Sequence, residues 1–359
     1  MSPNRIASQT EILDAFRAVR PLSTSTLESL CQMHVTLASE AQNWISLGWR
    51  PRGGEIRKSL HVLNPNNLRN FAGHTFGGIG FEGPYDFMLD ADLAMPFGEP
   101  VEVTDERLRM FRLRCTAWAK MNLGQIRDLA PEFEDHWMAL IQEACSIGGP
   151  QAHLKSEICP FPITHHGIRV GYRAPVLASW INRPISRLLE IGGGHGRFIR
   201  DAAVLMPDTK LILTDLPFNL IVSARYLMEN FGDQVNLCIL PEQRFNPDSR
   251  INIVAPWRLD DISVPVDTTC NFLSFQHMDE VSLNWYGDSM RKLGVQSLFQ
   301  VNRNAVRDPF DKPIDKYPFA PEFHAHRQLL IEAATLTNPT MPGFSTEVGI
   351  ILELAHRRT

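Results

Sequence analysis

The sequence predicts an α/β protein whose second half builds a mostly parallel sheet with helices on both faces, preceded by a mainly helical first half. Three observations predict it. From residue 187 onward, short apolar runs alternate with helix-compatible runs, the pattern of parallel strands joined by crossover helices. One of those runs, Leu188-Leu189-Glu190-Ile191, passes directly into Gly192-Gly193-Gly194-His195-Gly196-Arg197, a strand-to-helix turn made almost wholly of glycine. The chain ends on an apolar run, Val348-Gly349-Ile350-Ile351-Leu352-Glu353-Leu354, that reads as a last strand.

The elements follow in order. Ser25-Thr26-Leu27-Glu28 has the form of a capping box and opens a helix that the chain can sustain to about residue 46. Residues 48–98 are irregular, rich in Gly, Pro and Asn, and contain Gly73-His74-Thr75-Phe76-Gly77-Gly78-Ile79-Gly80, a candidate lid. Thr104-Asp105-Glu106 opens a second helix to about residue 121, and Pro131-Glu132 a third to about residue 148. Cys159-Pro160-Phe161-Pro162 is the expected hinge, because proline cannot continue regular structure. It divides the chain into 1–158, mainly helical, and 159–359, the sheet domain. A helix over 174–181 leads into expected strands at 187–191, 211–215, 235–240, 251–255, 271–275 and 297–301. Expected helices lie between them at 198–206, 218–230 and 281–293. Either 236–240 or 251–255 can serve as the third strand, and 326–336 reads equally as a hairpin strand or a helix.

With 359 residues, 44% of them hydrophobic and 21% charged, the chain has material for a sizeable core. A net charge of −5 argues against a nucleic-acid binder, which needs a clustered positive face. Arg50, Arg52, Arg57 and Lys58 form the one basic cluster of note and fit a solvated loop. The first nine residues are polar, unlike a signal peptide, and no apolar run is long enough to span a membrane. Six cysteines lack C-x-x-C pairs and read as reduced, mostly buried side chains, so the expected compartment is the cytoplasm.

The glycine turn is where chemistry is expected. Without a Cβ, glycine accepts positive φ and lets a ligand approach the backbone. A dinucleotide site needs G-x-G-x-x-G, and counting from Gly192 that pattern fails at Arg197, which disfavours a nicotinamide-dependent oxidoreductase. The pattern E-x-G-x-G-x-G is satisfied at Glu190, Gly192, Gly194 and Gly196. Asp215 ends the next strand about 25 residues after Glu190, near the roughly 20-residue offset of ribose-binding carboxylates. Asp215 would accept hydrogen bonds from two ribose hydroxyls, or else cap the helix opening at Pro217. Trp257 follows a strand end and is a candidate to stack on a base, or a core aromatic. At the end of the 271–275 strand, Gln276 is a cofactor-side candidate and His277 a candidate general base, with an ordinary pKa of about 6.5. His277 would alternatively cap the following helix. Glu280 or Asp279 would orient His277 or serve as that helix's N-cap, and Glu280 is the second catalytic candidate. Tyr286 and His74 are substrate-side candidates, and Arg173 is placed to meet a carboxylate. His324 and His326 have the spacing of a metal-holding pair but fit solvent-exposed side chains better, so no metal is expected.

The runs Leu189-Glu190-Ile191-Gly192-Gly193-Gly194-His195-Gly196-Arg197, Thr214-Asp215-Leu216-Pro217 and Phe272-Leu273-Ser274-Phe275-Gln276-His277-Met278-Asp279-Glu280 resemble class I S-adenosylmethionine (SAM) dependent methyltransferases. Within them the phrasing is similar to the sugar O-methyltransferase group, which often carries an acidic residue near position 277. The resemblance spans about half the chain. It implies a Rossmann-like sheet closed by an antiparallel hairpin, SAM as cofactor, and a small-molecule substrate methylated on a hydroxyl. It implies a cofactor site at Glu190, Gly192, Gly193, Gly194, Gly196, Asp215, Trp257 and Gln276. The first-half helices would then cover the acceptor pocket or form a homodimer interface, with no nucleic-acid or membrane partner. Two other functions remain open: methylation of a carboxylate or amine, including one on a peptide, and a non-catalytic partner protein of the same fold.

Overall fold

The computed structural model describes residues 5–40, 124, 127–143, 171–303, 312–331 and 350–358. The expectations for 48–121, including His74 and the Gly73–Gly80 run, and for the 159–162 hinge lie outside these residues.

Eight strands form a single sheet: β1 (Arg187–Ile191), β2 (Lys210–Thr214), β3 (Val235–Cys238), β4 (Ile251–Val254), β5 (Thr268–Phe272), β6 (Ser297–Arg303), β7 (Phe323–Ile331) and β8 (Ile350–Arg357). Their order is β3-β4-β2-β1-β5-β6-β8-β7. The first six are parallel to one another; β8 pairs antiparallel with both β6 and β7. The sheet thus reverses outward on either side of β1, and the β1–β5 boundary is the switch point where such sheets place ligands beyond the C-terminal strand ends.

Seven α-helices fall within the described residues: α1 (Gln9–Arg17), α2 (Thr24–Glu40), α3 (Glu134–Glu143), α4 (Arg173–Trp180), α5 (Arg197–Leu205), α6 (Pro217–Phe231) and α7 (Glu280–Lys292). Alternation along the strands divides the core between the two sheet faces. Leu188, Leu211, Leu213, Phe272 and Phe299 pack with α4, α5 and α6, whereas Leu189, Ile191, Ile212 and Leu298 pack with α7. Strands buried on both faces are continuously apolar, as parallel sheets require. Helices α1, α2 and α3 add a further layer on the α5/α6 side: Ile12, Leu27, Leu37, Trp137 and Leu140 join that same core. Backbone bonds tie them down, from Ala7 N–H to the Leu205 carbonyl (2.8 Å) and from Arg20 N–H to Glu229 (3.0 Å).

Several elements differ from the sequence expectation. Both candidates for the third strand form strands; Ile251–Val254 pairs with β2, and Val235–Cys238 lies outside it at the edge. Of the ambiguous run 326–336, residues 326–331 belong to strand β7 and the rest lie outside the described residues. Strand β5 ends at Phe272 rather than 275, because Leu273 turns to a positive φ of 57°. Helix α2 starts at Thr24 with Ser23 Oγ accepting from Thr26 N–H (3.1 Å), so Ser23, not Ser25, caps it. A capping box does occur one helix earlier, where Ser8 and Glu11 cap α1 reciprocally.

Candidate functional site

Strand β1 delivers the site. Glu190 lies on the strand face shared with Leu188, beneath α5, and is 2% exposed. The chain then turns through Gly192, Gly194 and Gly196 at φ of 74°, 60° and 90°, values open to glycine and costly to other residues. Space is as restrictive as conformation. A Cβ at Gly192 would lie 2.1 Å from Ser274 Oγ, and one at Gly193 would lie 2.8 Å from both Glu190 Oε2 and Leu213 Cδ1. The turn is therefore wedged between the ends of β2 and β5. Gly192 N–H donates to the Thr214 carbonyl (2.8 Å), and the Asn271 amide donates to the Ile191 carbonyl (2.7 Å).

Asp215, just beyond β2, faces this turn. Its carboxylate accepts from Gly194 N–H (2.5 Å), Leu216 N–H (2.5 Å) and the Asn219 amide (2.9 Å). Leu216, not Asp215, is the N-cap of α6, so the capping role does not account for this side chain. A carboxylate has about four acceptor positions; three are used here, and Oδ2 keeps one. Burial pushes the Asp215 carboxyl up to about 6, against the pull of the Asn219, Gly194 and Leu216 hydrogen bonds. Glu190 rises to about 8, chiefly by burial; Arg173 pulls it down, while Asp215 and Asp201 push it up. Its carboxylate accepts from Ile199 N–H in the first turn of α5, whose own N-cap, Gly196, offers no side chain. Glu190 Oε2 has no hydrogen-bond partner among the described residues. His195 is buried, and burial with the neighbouring Arg197 and Arg173 charges lowers it to about 3, leaving it neutral.

Two site residues escaped the sequence reading although a signal existed. Asn219 holds Asp215, and Ser223 Oγ donates to the Gly194 carbonyl (2.7 Å). Positions 215, 219 and 223 are spaced by four, the interval that lines one helix face. Ser274 and Asn271, which lock β5 against the turn, carried no comparable local signal.

The remaining candidates sit at differing distances from the turn. Gln276 is fully buried, and its amide shares a 3.0 Å hydrogen bond with His277 Nε2; both lie in a 3₁₀ turn, Phe275–His277. His277 is half-buried. Asp279 is the N-cap of α7, accepting from Ser282 N–H (2.8 Å), while Glu280 is exposed in the first turn of that helix. Tyr286 is buried with Phe275, Tyr317 and Phe319; burial and the Asp215 charge raise its hydroxyl well above the usual range. Trp257 is half-buried at the start of the 3₁₀ turn Pro256–Asp261, beyond β4. His324 and His326 are exposed beside His356, and among the described residues no group of three or more His, Cys, Asp or Glu side chains is arranged to hold a metal.

Six parallel strands whose order reverses at β1, with an antiparallel β8 inserted between β6 and β7, give a Rossmann-like sheet with the strand order of methyltransferase folds, and the glycine turn follows β1. No protein-family model matches the sequence, and no curated protein matches it. Among solved structures, a Thermoplasma acidophilum protein is similar at 11% identity and a TM-score of 0.38, covering 54% of this chain and 90% of that one. The O-methyltransferase of a Brevibacillus brevis trans-AT polyketide synthase, solved with S-adenosylhomocysteine, is similar at 13% identity and a TM-score of 0.36, covering 48% and 67%. The mitomycin 7-O-methyltransferase is similar at 13% identity and a TM-score of 0.31, covering 48% of this chain and 49%, about half, of that enzyme. The fold assignment rests on the strand order.

Proposed function

We propose that this protein is a SAM-dependent O-methyltransferase acting on a hydroxyl of a small biosynthetic molecule, a sugar or natural-product intermediate. The observation that carries the proposal is the pairing of a sterically closed, positive-φ glycine turn with a buried carboxylate, Asp215, that faces it and retains an acceptor position. These residues fit the cofactor. Gly192, Gly193, Gly194 and Gly196 would admit its backbone-hugging tail, Asp215 its ribose, and Trp257 with Gln276 the base-side wall. Glu190, buried with Oε2 unpartnered among the described residues, supplies a hydrogen-bonding carboxyl beside the turn. When bound, SAM supplies an electrophilic methyl group on a sulfonium.

The chain's own contribution is positioning, exclusion of water and handling of one proton. A hydroxyl is a weak nucleophile at neutral pH, so a base near its proton lowers the barrier. His277, at the β5 end, is assigned that role; its Nε2 accepts from the Gln276 amide and takes the hydroxyl proton when that bond opens, and Ser274 packs closely on Gly192 between this loop and the turn. Tyr286 and His74 are assigned to the acceptor side, and a small-molecule acceptor, rather than nucleic acid, agrees with the net charge of −5.

The test is a mass-shift screen. The full chain, SAM and a panel of hydroxylated sugars and aglycones are incubated, and products are searched for a gain of about 14 Da. Methylation of a hydroxyl that falls at least about 100-fold in His277→Ala, the scale of a lost general base, supports the proposal. Methyl gain on a carboxylate that survives His277→Ala replaces the acceptor class, because a carboxylate is already ionised. SAM binding without turnover of any acceptor supports the non-catalytic alternative.

A further inference from the structure

The end of β8 lies at the sheet edge opposite the glycine turn. There His356 pairs with Ser297, the first residue of β6, on one side and with His324 of β7 on the other. Its Nδ1 is 2.7 Å from Ser297 Oγ, and Arg183, between α4 and β1, brings Nη2 within 2.8 Å of the same oxygen. A guanidinium only donates, so Ser297 Oγ accepts from Arg183. No other acceptor for the Ser297 proton occurs among the described residues, and the proton therefore goes to His356 Nδ1. In this arrangement His356 is neutral and carries its own proton on Nε2. The charged groups acting on the ring are all positive. His324 and His326 set their rings 6.5 and 4.8 Å from it, and Arg183 stands behind Ser297. Burial, with His326, Arg183 and His324, lowers His356 below the ordinary value of 6.5. The acids at this edge are engaged elsewhere: Asp267 accepts from Ser186 and Arg187 N–H (2.7 Å each), and Glu322 pairs with Arg291 (3.0 Å) and Arg357 (3.5 Å). Among the described residues no carboxylate pairs with His356.

Protonation turns Nδ1 from an acceptor into a donor. Ser297 Oγ then faces two donors, its own proton loses its acceptor, and a new cation stands beside Arg183, His324 and His326. We propose that His356, Ser297 and Arg183 form an acid-sensitive latch that fastens the end of β8 to the start of β6 when the imidazole is neutral and frees it when the imidazole is charged. The backbone bonds it guards are those from Arg357 N–H to the Gln296 carbonyl (2.9 Å) and from Arg358 N–H to the Glu322 carbonyl (2.8 Å). The folded chain takes up this proton less readily than the unfolded chain, whose histidine titrates near 6.5. The latch's contribution is therefore complete above about pH 6.5 and is lost as pH falls below it. It stands apart from the cofactor reading, at the other edge of the sheet.

The experiment is a pH series on the full chain and on His356→Asn, read by amide hydrogen exchange and by NMR of the imidazoles. An asparagine oxygen accepts from Ser297 as Nδ1 does and does not titrate. In the wild-type chain the protection factors of the Arg357 and Arg358 amides are expected to fall about three- to tenfold from about pH 7.5 to about pH 5.5, a unit below the ordinary histidine value. In His356→Asn they should stay constant. The wild-type His356 ring should carry its proton on Nε2 at neutral pH and titrate below about 6.5, and Arg183→Met should move that titration upward. The wild-type titration and Arg183→Met carry the test if the asparagine variant fails to fold. Protection that is independent of pH in the wild-type chain, or that falls equally in both proteins, would overturn the inference. So would a neutral His356 protonated on Nδ1, a titration at or above about 6.5, or one that Arg183→Met leaves unchanged.

Discussion

At the scale of single residues, the glycine turn makes the sharpest demands. Gly192→Ala places a methyl group where Ser274 Oγ already lies and forces a φ of 74° on an alanine. Its expected cost is about 2 kcal/mol or more, from αL strain plus the clash. Adding Ser274→Gly removes the clash and leaves the strain, so the double variant should recover part of the loss in urea denaturation; no recovery would show that Ser274 is not the obstacle. Glu190 gives a pH signature. Its carboxyl is raised to about 8 in the folded chain against about 4.5 unfolded, so the folded state holds the extra proton between those values. Its contribution to stability is therefore complete below about pH 4.5 and is lost as pH rises through about 8. Glu190→Gln does not titrate, so its melting temperature relative to wild type should climb from pH 5 to about pH 8 and level off above it. A pH-independent difference would mean that Glu190 is ionised throughout.

At the scale of elements, the caps and strand ends show what local sequence specifies. Asp279 caps α7, and Asp279→Ala should cost about 1 kcal/mol, seen as a lower melting temperature, whereas Glu280→Gln, on an exposed first-turn residue, should change it little. The β1 strand, the turn after it and Asp215 were legible from residues alone because each need is local: alternation, φ sign, and a carboxylate at a strand end. The order of β3 and β4 was not, since Val235-Asn236-Leu237-Cys238 and Ile251-Asn252-Ile253-Val254 present the same short apolar pattern, and only pairing across the sheet decides which one meets β2. The Ser23-Thr24-Ser25-Thr26 run offers several caps of similar strength, and packing of Leu27 and Leu30 selects Ser23. The expected strand at 271–275 was placed three residues late: β5 runs Thr268–Phe272 and stops where the backbone of Leu273 turns. That strain falls beside Gln276 and His277, at a strand end where a strained residue re-aims the following loop.

At the scale of the whole molecule, the first-half helices α1, α2 and α3 and the sheet domain share one apolar core on the α5/α6 face. Leu27 is 1% exposed within it, and Leu27→Ala should remove about 2–5 kcal/mol from the unfolding of the sheet domain as well as from α2, read as a shift of a single cooperative transition. Two separate transitions, with only the first one shifted, would mean that the layers fold independently. The shared core also brings α3 to the glycine-turn side: Arg197, the first residue of α5, donates to the Leu140 carbonyl (2.7 Å). The central claim is that the turn at Gly192 and the carboxylate of Asp215 together seat the nucleoside of SAM. The most direct measurement is calorimetric titration of S-adenosylhomocysteine into the full chain and into Asp215→Ala. The account predicts one site per wild-type chain, with affinity about 10- to 100-fold weaker in the variant, the worth of hydrogen bonds to a charged group. Absence of binding to the wild-type chain, or equal affinity in both proteins, would contradict it.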